Sequence, residues 1–175
     1  MENDIQVQYK ATRFGVSQGM PISVLHIGEE QTTIAFGTDA ESETVLVMSI
    51  GSNRTAVDFF KHSPPTPGEM ETAIMVIEDE VTRAGKLLVG HPTLFTKDAS
   101  IRELALIAGV SEQPEMVLSL EAVERTFDLL ASLVLGRPAS SAGVPTHPAF
   151  AATLLILREF MHHLKFDSIC IGTPF

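Results

Sequence analysis

A chain of 175 residues with 45% hydrophobic and 19% charged residues can bury a core of its own, which excludes wholesale disorder. Twelve Lys and Arg against 22 Asp and Glu give a formal charge of -10, a field that repels nucleic acid and anionic membrane surfaces. The longest apolar run, Phe150 to Leu157, is too short to span a bilayer and the start of the chain lacks the pattern of a signal peptide, so a cytoplasmic protein is the default expectation.

Residues 1–20 are polar and mixed, with Gly15 and Gly19 as breakers, and read as a short helix and loop leading into a core over 21–175. Ile22 to Ile27, Thr33 to Phe36 and Thr44 to Ile50 are short β-branched and apolar runs, close enough in sequence to form an antiparallel meander. In Asn53 to Phe60 the positions of Val57, Phe59 and Phe60 fit a strand or a short helix. The prolines at 64, 65 and 67 then stop whatever precedes them.

Thr66 is an N-cap, Pro67 suits the first helical position, and Glu69 has the spacing of a capping box. A helix is therefore expected from Pro67, with Met70, Ala73, Ile74, Ile77 and Val81 on one face and Gly85 as its end. Lys86 to Gly90 reads as a short strand, Asp98 or Ser100 caps a helix through Ala108, and Met116 to Leu118 is a further strand. Ser119 caps a helix from Leu120 to Leu135, striped by Val123, Phe127, Leu130 and Val134 and stopped by Gly136. After a small-residue loop, Pro148 to Leu164 is apolar nearly all round in its first half and reads as a central helix, with His162 and His163 at its solvated end. Ser168 to Ile171 is a last strand that carries Cys170, the one cysteine, as a small core residue. The order describes an α/β sheet with an antiparallel meander at one side, parallel strands at the other and helices on both faces.

Three runs of residues bear on function. His26-Ile27-Gly28-Glu29-Glu30-Gln31-Thr32 follows the first strand, Ile50-Gly51-Ser52-Asn53-Arg54 follows the third, and Phe59 to Pro67 forms a Pro-rich turn. With Leu118 to Leu135, Gly136 to Val144 and Pro148 to Leu164, they resemble in order the second half of the exopolyphosphatase and guanosine pentaphosphate phosphohydrolase (Ppx/GppA) family. The resemblance implies a single lobe of the ribonuclease-H-like fold found across the actin-like ATPase superfamily. It places Gly28, Glu29, Glu30, Gln31 and Thr32 at the family's Gly-Gly-Gly-Ser-Thr phosphate loop, and leaves Gly51, Ser52 and Arg54 as a remnant anion contact.

The departures are chemical. Glycines in such a loop let backbone N–H groups approach phosphate oxygens, whereas Glu29 and Glu30 add side chains and negative charge there. A carboxylate about 4 Å from a phosphate charge repels it by roughly 4 kcal/mol at an intermediate effective dielectric, more than one backbone N–H returns. His26 stands where the family has an acidic residue near metal or water. Thr96 to Ser100 stands where it has a Gly-Gly-Thr turn, with no glycine and with Asp98 instead. The family's first lobe, with its catalytic glutamate, would precede Met1, and its members continue beyond the equivalent of Phe175.

The residues by themselves assign no catalytic group and no metal set. His26, Glu29 and Glu30 suit a divalent ion by type, but neighbours on a strand point to opposite faces, which favours a plain acidic turn. Glu69 is a cap rather than a base, Arg54 is expected to pair with an acidic neighbour, and Arg137 to be structural. The resemblance thus implies a catalytically degenerate exopolyphosphatase-like domain acting as an interaction or regulatory module, with no cofactor. It also implies a homodimer or a partner protein over the surface of the missing lobe, with no nucleic acid or membrane. The alternative is one part of a Mg²⁺-dependent phosphohydrolase for polyphosphate or guanosine pentaphosphate, completed by that first lobe. A weaker third reading is a small-ligand sensor near Gly51 to Arg54.

Overall fold

Six runs of apolar residues alternating with polar ones assemble one mixed sheet, in the order β3-β2-β1-β4-β6-β5. The structure, a computed structural model, describes residues 2–88 and 90–174. Its elements run α1 (Glu2–Phe14), β1 (Ile22–Ile27), β2 (Thr32–Gly37), β3 (Thr44–Met48), α2 (Ser52–Phe59) and α3 (Pro67–Gly85). They continue with β4 (Thr93–Thr96), α4 (Ala99–Ile107), β5 (Met116–Ser119), α5 (Leu120–Val134), α6 (Ala139–Ala142), α7 (Pro148–His163) and β6 (Ser168–Ile171). β1, β2 and β3 form the expected antiparallel meander, β1–β4 and β4–β6 are parallel, and β5 pairs antiparallel to β6.

The two faces of the sheet are covered unequally. Leu25, Ile27, Leu94, Met116, Leu118, Ile169 and Ile171 enter the larger core, where Ala151 to Leu157 of α7 are all buried. α7 packs there against α2, α3 and α5, which explains why its first half is apolar all round. On the opposite face α1 lies over β1 and β2, burying Ile5 and Tyr9 against Ile22, Val24 and Ala35. Arg13, buried near the end of α1, fastens that helix: its guanidinium donates to Met20 O at 2.7 Å and to Gly37 O at 2.9 Å.

The capping box at Thr66 and Glu69 is present, and the Glu69 carboxylate also accepts from Lys61 N at 2.9 Å. Its pKa falls to about 2, chiefly through the Thr66 N–H and then His62. Ser119 caps α5 as expected, accepting from Ala122 N.

Two expectations need correction. The strand read at Lys86 to Gly90 is absent: Leu87 N and Leu88 N donate to Ala84 O and Gly85 O in a turn that runs off α3, and Val89 lies outside the described residues. The strand forms instead after Pro92, at Thr93–Thr96, where β1 supplies a parallel partner that a local pattern does not reveal. Cys170 is half-buried and not in the core, because Ile169 and Ile171 take the inward positions of β6. His162 and His163 end α7 as expected, with His162 exposed, and approach the carboxylates of Glu124 and Glu159 that Arg158 bridges while stacking on Phe127.

Leu155→Ala, at a site with no solvent exposure, is expected to cost about 2–5 kcal/mol in urea denaturation. Leu135→Ala, where the side chain is 78% exposed, should stay within about 0.5 kcal/mol of the parent.

Candidate functional site

The residues singled out by the sequence meet at the carboxyl ends of β1 and β4, where the β1–β2 turn lies against the first turn of α2. The turn closes through a bond from Gly28 N to Gln31 O of 3.0 Å, and a Cβ at position 28 would sit 2.8 Å from that same oxygen. α2 begins at Gly51 with no side-chain cap, so its leading N–H groups need other acceptors. The turn supplies them. Ser52 N donates to Gly28 O at 2.9 Å, while Asn53 N and Arg54 N donate to Glu29 O at 2.9 and 3.0 Å. Gly51 makes this fit possible, since a Cβ there would lie 2.5 Å from the Glu30 carbonyl carbon and 2.6 Å from Gln31 N.

The side chains of the turn do not converge. Glu29 and Glu30 are exposed, and Glu30 takes a bond from Asn53 Nδ2 at 3.3 Å. Thr32 is fully buried at the start of β2, its hydroxyl without a hydrogen-bond partner among the described residues. Arg54 faces Asp58 one helical turn on, at 3.7 Å. Arg137 is exposed. Beside Ser52, the amino ends of α4 and α7 border a groove of about 240 Å³, with Ser100, Glu103, His147, Phe150 and Thr153 in its walls.

One pair escaped the sequence reading. His26 Nδ1 lies 2.6 Å from Asp98 Oδ1, and the other oxygen of Asp98 accepts from Ile27 N at 2.7 Å. Asp98 stands at the N-cap of α4 but does not cap it; its buried carboxylate instead ties the end of β4 to the end of β1. The hydrogen bond to Asp98 raises the His26 pKa above 6.5, against burial, which lowers it. These partners are 72 residues apart, so no local spacing announces them; only a polar residue at each of two strand ends hints at it.

Mg²⁺ usually takes one or two carboxylates plus substrate oxygens and water, so the alternative reading needs no full ligand cluster within this lobe. Both oxygens of Asp98 are committed to His26 and Ile27, the ring nitrogen of His26 that faces it is taken, and among the described residues no group of three His, Cys, Asp or Glu could hold a metal.

Solved structures share this architecture. A Ppx/GppA family member from Aquifex aeolicus superposes with a TM-score of 0.77 at 19% identity, over 98% of this chain and 58% of its own. Its fold is that of the Ppx/GppA proteins. An exopolyphosphatase from Cytophaga hutchinsonii gives a TM-score of 0.73 at 16% identity, over 97% of this chain and 59% of its own. The chain thus spans under three-fifths of these Ppx/GppA relatives, as a single lobe of them would. No protein-family model matches the sequence, and no curated protein does.

Gly51→Ala should destabilise the chain by about 1–3 kcal/mol in urea titration, because the turn must lift off α2 to admit the methyl group. Since the folded pKa of His26 lies above its ordinary value, the stabilisation from its pairing is full below about pH 6.5 and fades as pH rises through the folded value. The difference in melting temperature between the parent and His26→Gln should therefore be larger at about pH 5.5 than at about pH 9.

Proposed function

We propose that this chain is a catalytically degenerate, exopolyphosphatase-like lobe that works as an interaction or regulatory module. One observation carries the reading: the N–H groups at the start of α2, which would otherwise receive an anion, are already bonded to the carbonyls of Gly28 and Glu29. A phosphate would have to displace the turn from Gly51 before these three donors of α2 became free. The exposed carboxylates of Glu29 and Glu30 and the formal charge of -10 oppose it further. A second copy or a partner protein then takes the place of a substrate as what the lobe recognises.

The second reading, a Mg²⁺-dependent phosphohydrolase completed by another lobe, draws on the exopolyphosphatase from Cytophaga hutchinsonii among the structures of the same fold. One set of assays separates the two. With polyphosphate or guanosine pentaphosphate and Mg²⁺, the purified chain should release no phosphate above the blank. Turnover that disappears on altering Glu29, Glu30 or Arg54 would establish the enzyme instead. Calorimetric titration with pyrophosphate should show no binding at millimolar concentration, and Glu29→Gln with Glu30→Gln should leave it so, because the Ser52, Asn53 and Arg54 N–H groups stay occupied when the charges are gone.

A further inference from the structure

The sheet carries an apolar row from edge to edge that is covered only along half its length. The register aligns Val45, Ala35, Val24, Phe95, Cys170 and Val117, one from each strand in spatial order. Ala35 and Val24 are sealed beneath α1, with Val45 and Phe95 packed against that cluster. Beyond them cover is lost: Cys170 is half-buried and Val117 is 58% exposed. A groove of about 300 Å³ runs between α1 and this bare half, with Ala11, Phe95, Lys97, Glu115 and Gly172 among its walls.

α1 has the matching peculiarity. Ile5 and Tyr9 point down onto the sheet, and at 100° per residue Val7, Ala11 and Phe14 form a second stripe on the opposite side of the helix. Val7 is 57% exposed and Phe14 is 96% exposed. A helix that covers one sheet and is apolar on its far side as well has the pattern of a helix held between two sheets.

We infer that a second copy of this chain supplies the other sheet, so that α1 of each copy lies on the bare β4–β6–β5 half of its partner. The arrangement closes. With two sheets facing one another, a two-fold axis parallel to the strands and midway between them sets the two α1 helices side by side, each over its own β1–β2 and under its partner's uncovered half. Lys10 beside the outer stripe is already paired with Glu41 at 2.8 Å, so the contact is chiefly apolar. α1, 13 residues long, makes a rod about 20 Å long and about 10 Å across, so the two contacts together bury on the order of 1,000 Å², the lower end of specific interfaces. A weak dimer follows, opposed by the like charge of the two copies and therefore strengthened by salt.

This surface rests on the reading of the chain as an interaction module, and the test keeps the two apart. Sedimentation velocity of the full chain from about 1 to about 200 µM should show a monomer–dimer equilibrium that shifts toward dimer as salt is raised. Phe14→Lys and Val117→Lys, both at exposed positions and both reducing the negative charge, should each weaken association at least about 10-fold. Circular dichroism and melting temperature should stay at parental values. Leu135→Lys, on the far end of α5, should leave the dimer unchanged. A parent chain that is monomeric at about 200 µM, or a dimer indifferent to both Phe14→Lys and Val117→Lys, would overturn the inference. A dimer through another surface would refute this interface and leave the interaction reading standing, whereas phosphate release in the assays above would refute the reading and leave the dimer measurement to stand alone.

Discussion

The backbone of the β1–β2 turn resting on the first turn of α2 is the contact on which the end of the sheet depends. Two glycines permit it, Gly28 by its closeness to Gln31 O and Gly51 by lying directly under the turn. Three N–H groups are satisfied by it. Helix starts that lack a polar cap must find acceptors elsewhere, and in many proteins those acceptors belong to a ligand. In this chain they belong to the chain itself. The same glycine-bearing segments that suggest a phosphate cradle in one dimension serve in three dimensions to let two pieces of backbone touch.

A second tie holds the neighbouring strand end. Asp98 bridges from the start of α4 to both the side chain of His26 and the main chain of Ile27, joining parallel strands that pair directly only over Ile22 to Val24 and Thr93 to Phe95. A buried carboxylate with two partners is well satisfied and correspondingly unavailable. Together the two ties join the strand end to the starts of α2 and α4 and leave the carboxylates of Glu29 and Glu30 outside.

Much of the architecture was legible in the sequence because its cues are local. The capping box at Thr66, the stripe of α5 and the all-round apolarity of α7 each lie within one helix, and each signals correctly. What escaped is decided by partners far along the chain. Leu87 and Leu88 look as strand-like as Leu94 and Phe95, and only the open edge of β1 selects the later pair. The turn was read as presenting negative charge to an anion, and its side chains are indeed outward. That its carbonyls already occupy α2 depends on Gly51, more than 20 residues on, and no spacing rule gives that distance. Cys170 was misjudged by parity, since in a strand with one bare face a single step changes a core position into a surface one.

The order of the sheet has a bearing on how the molecule comes into being. β6 is the last strand in sequence among the described residues, yet it is threaded between β4 and β5. During synthesis β5 has no sheet neighbour, and one flank of β4 stays open, until Ser168–Ile171 have left the ribosome. The flank of β4 stays open from Thr96 until Ser168, and the four-residue wedge of β6 then converts two loose borders into a continuous interior.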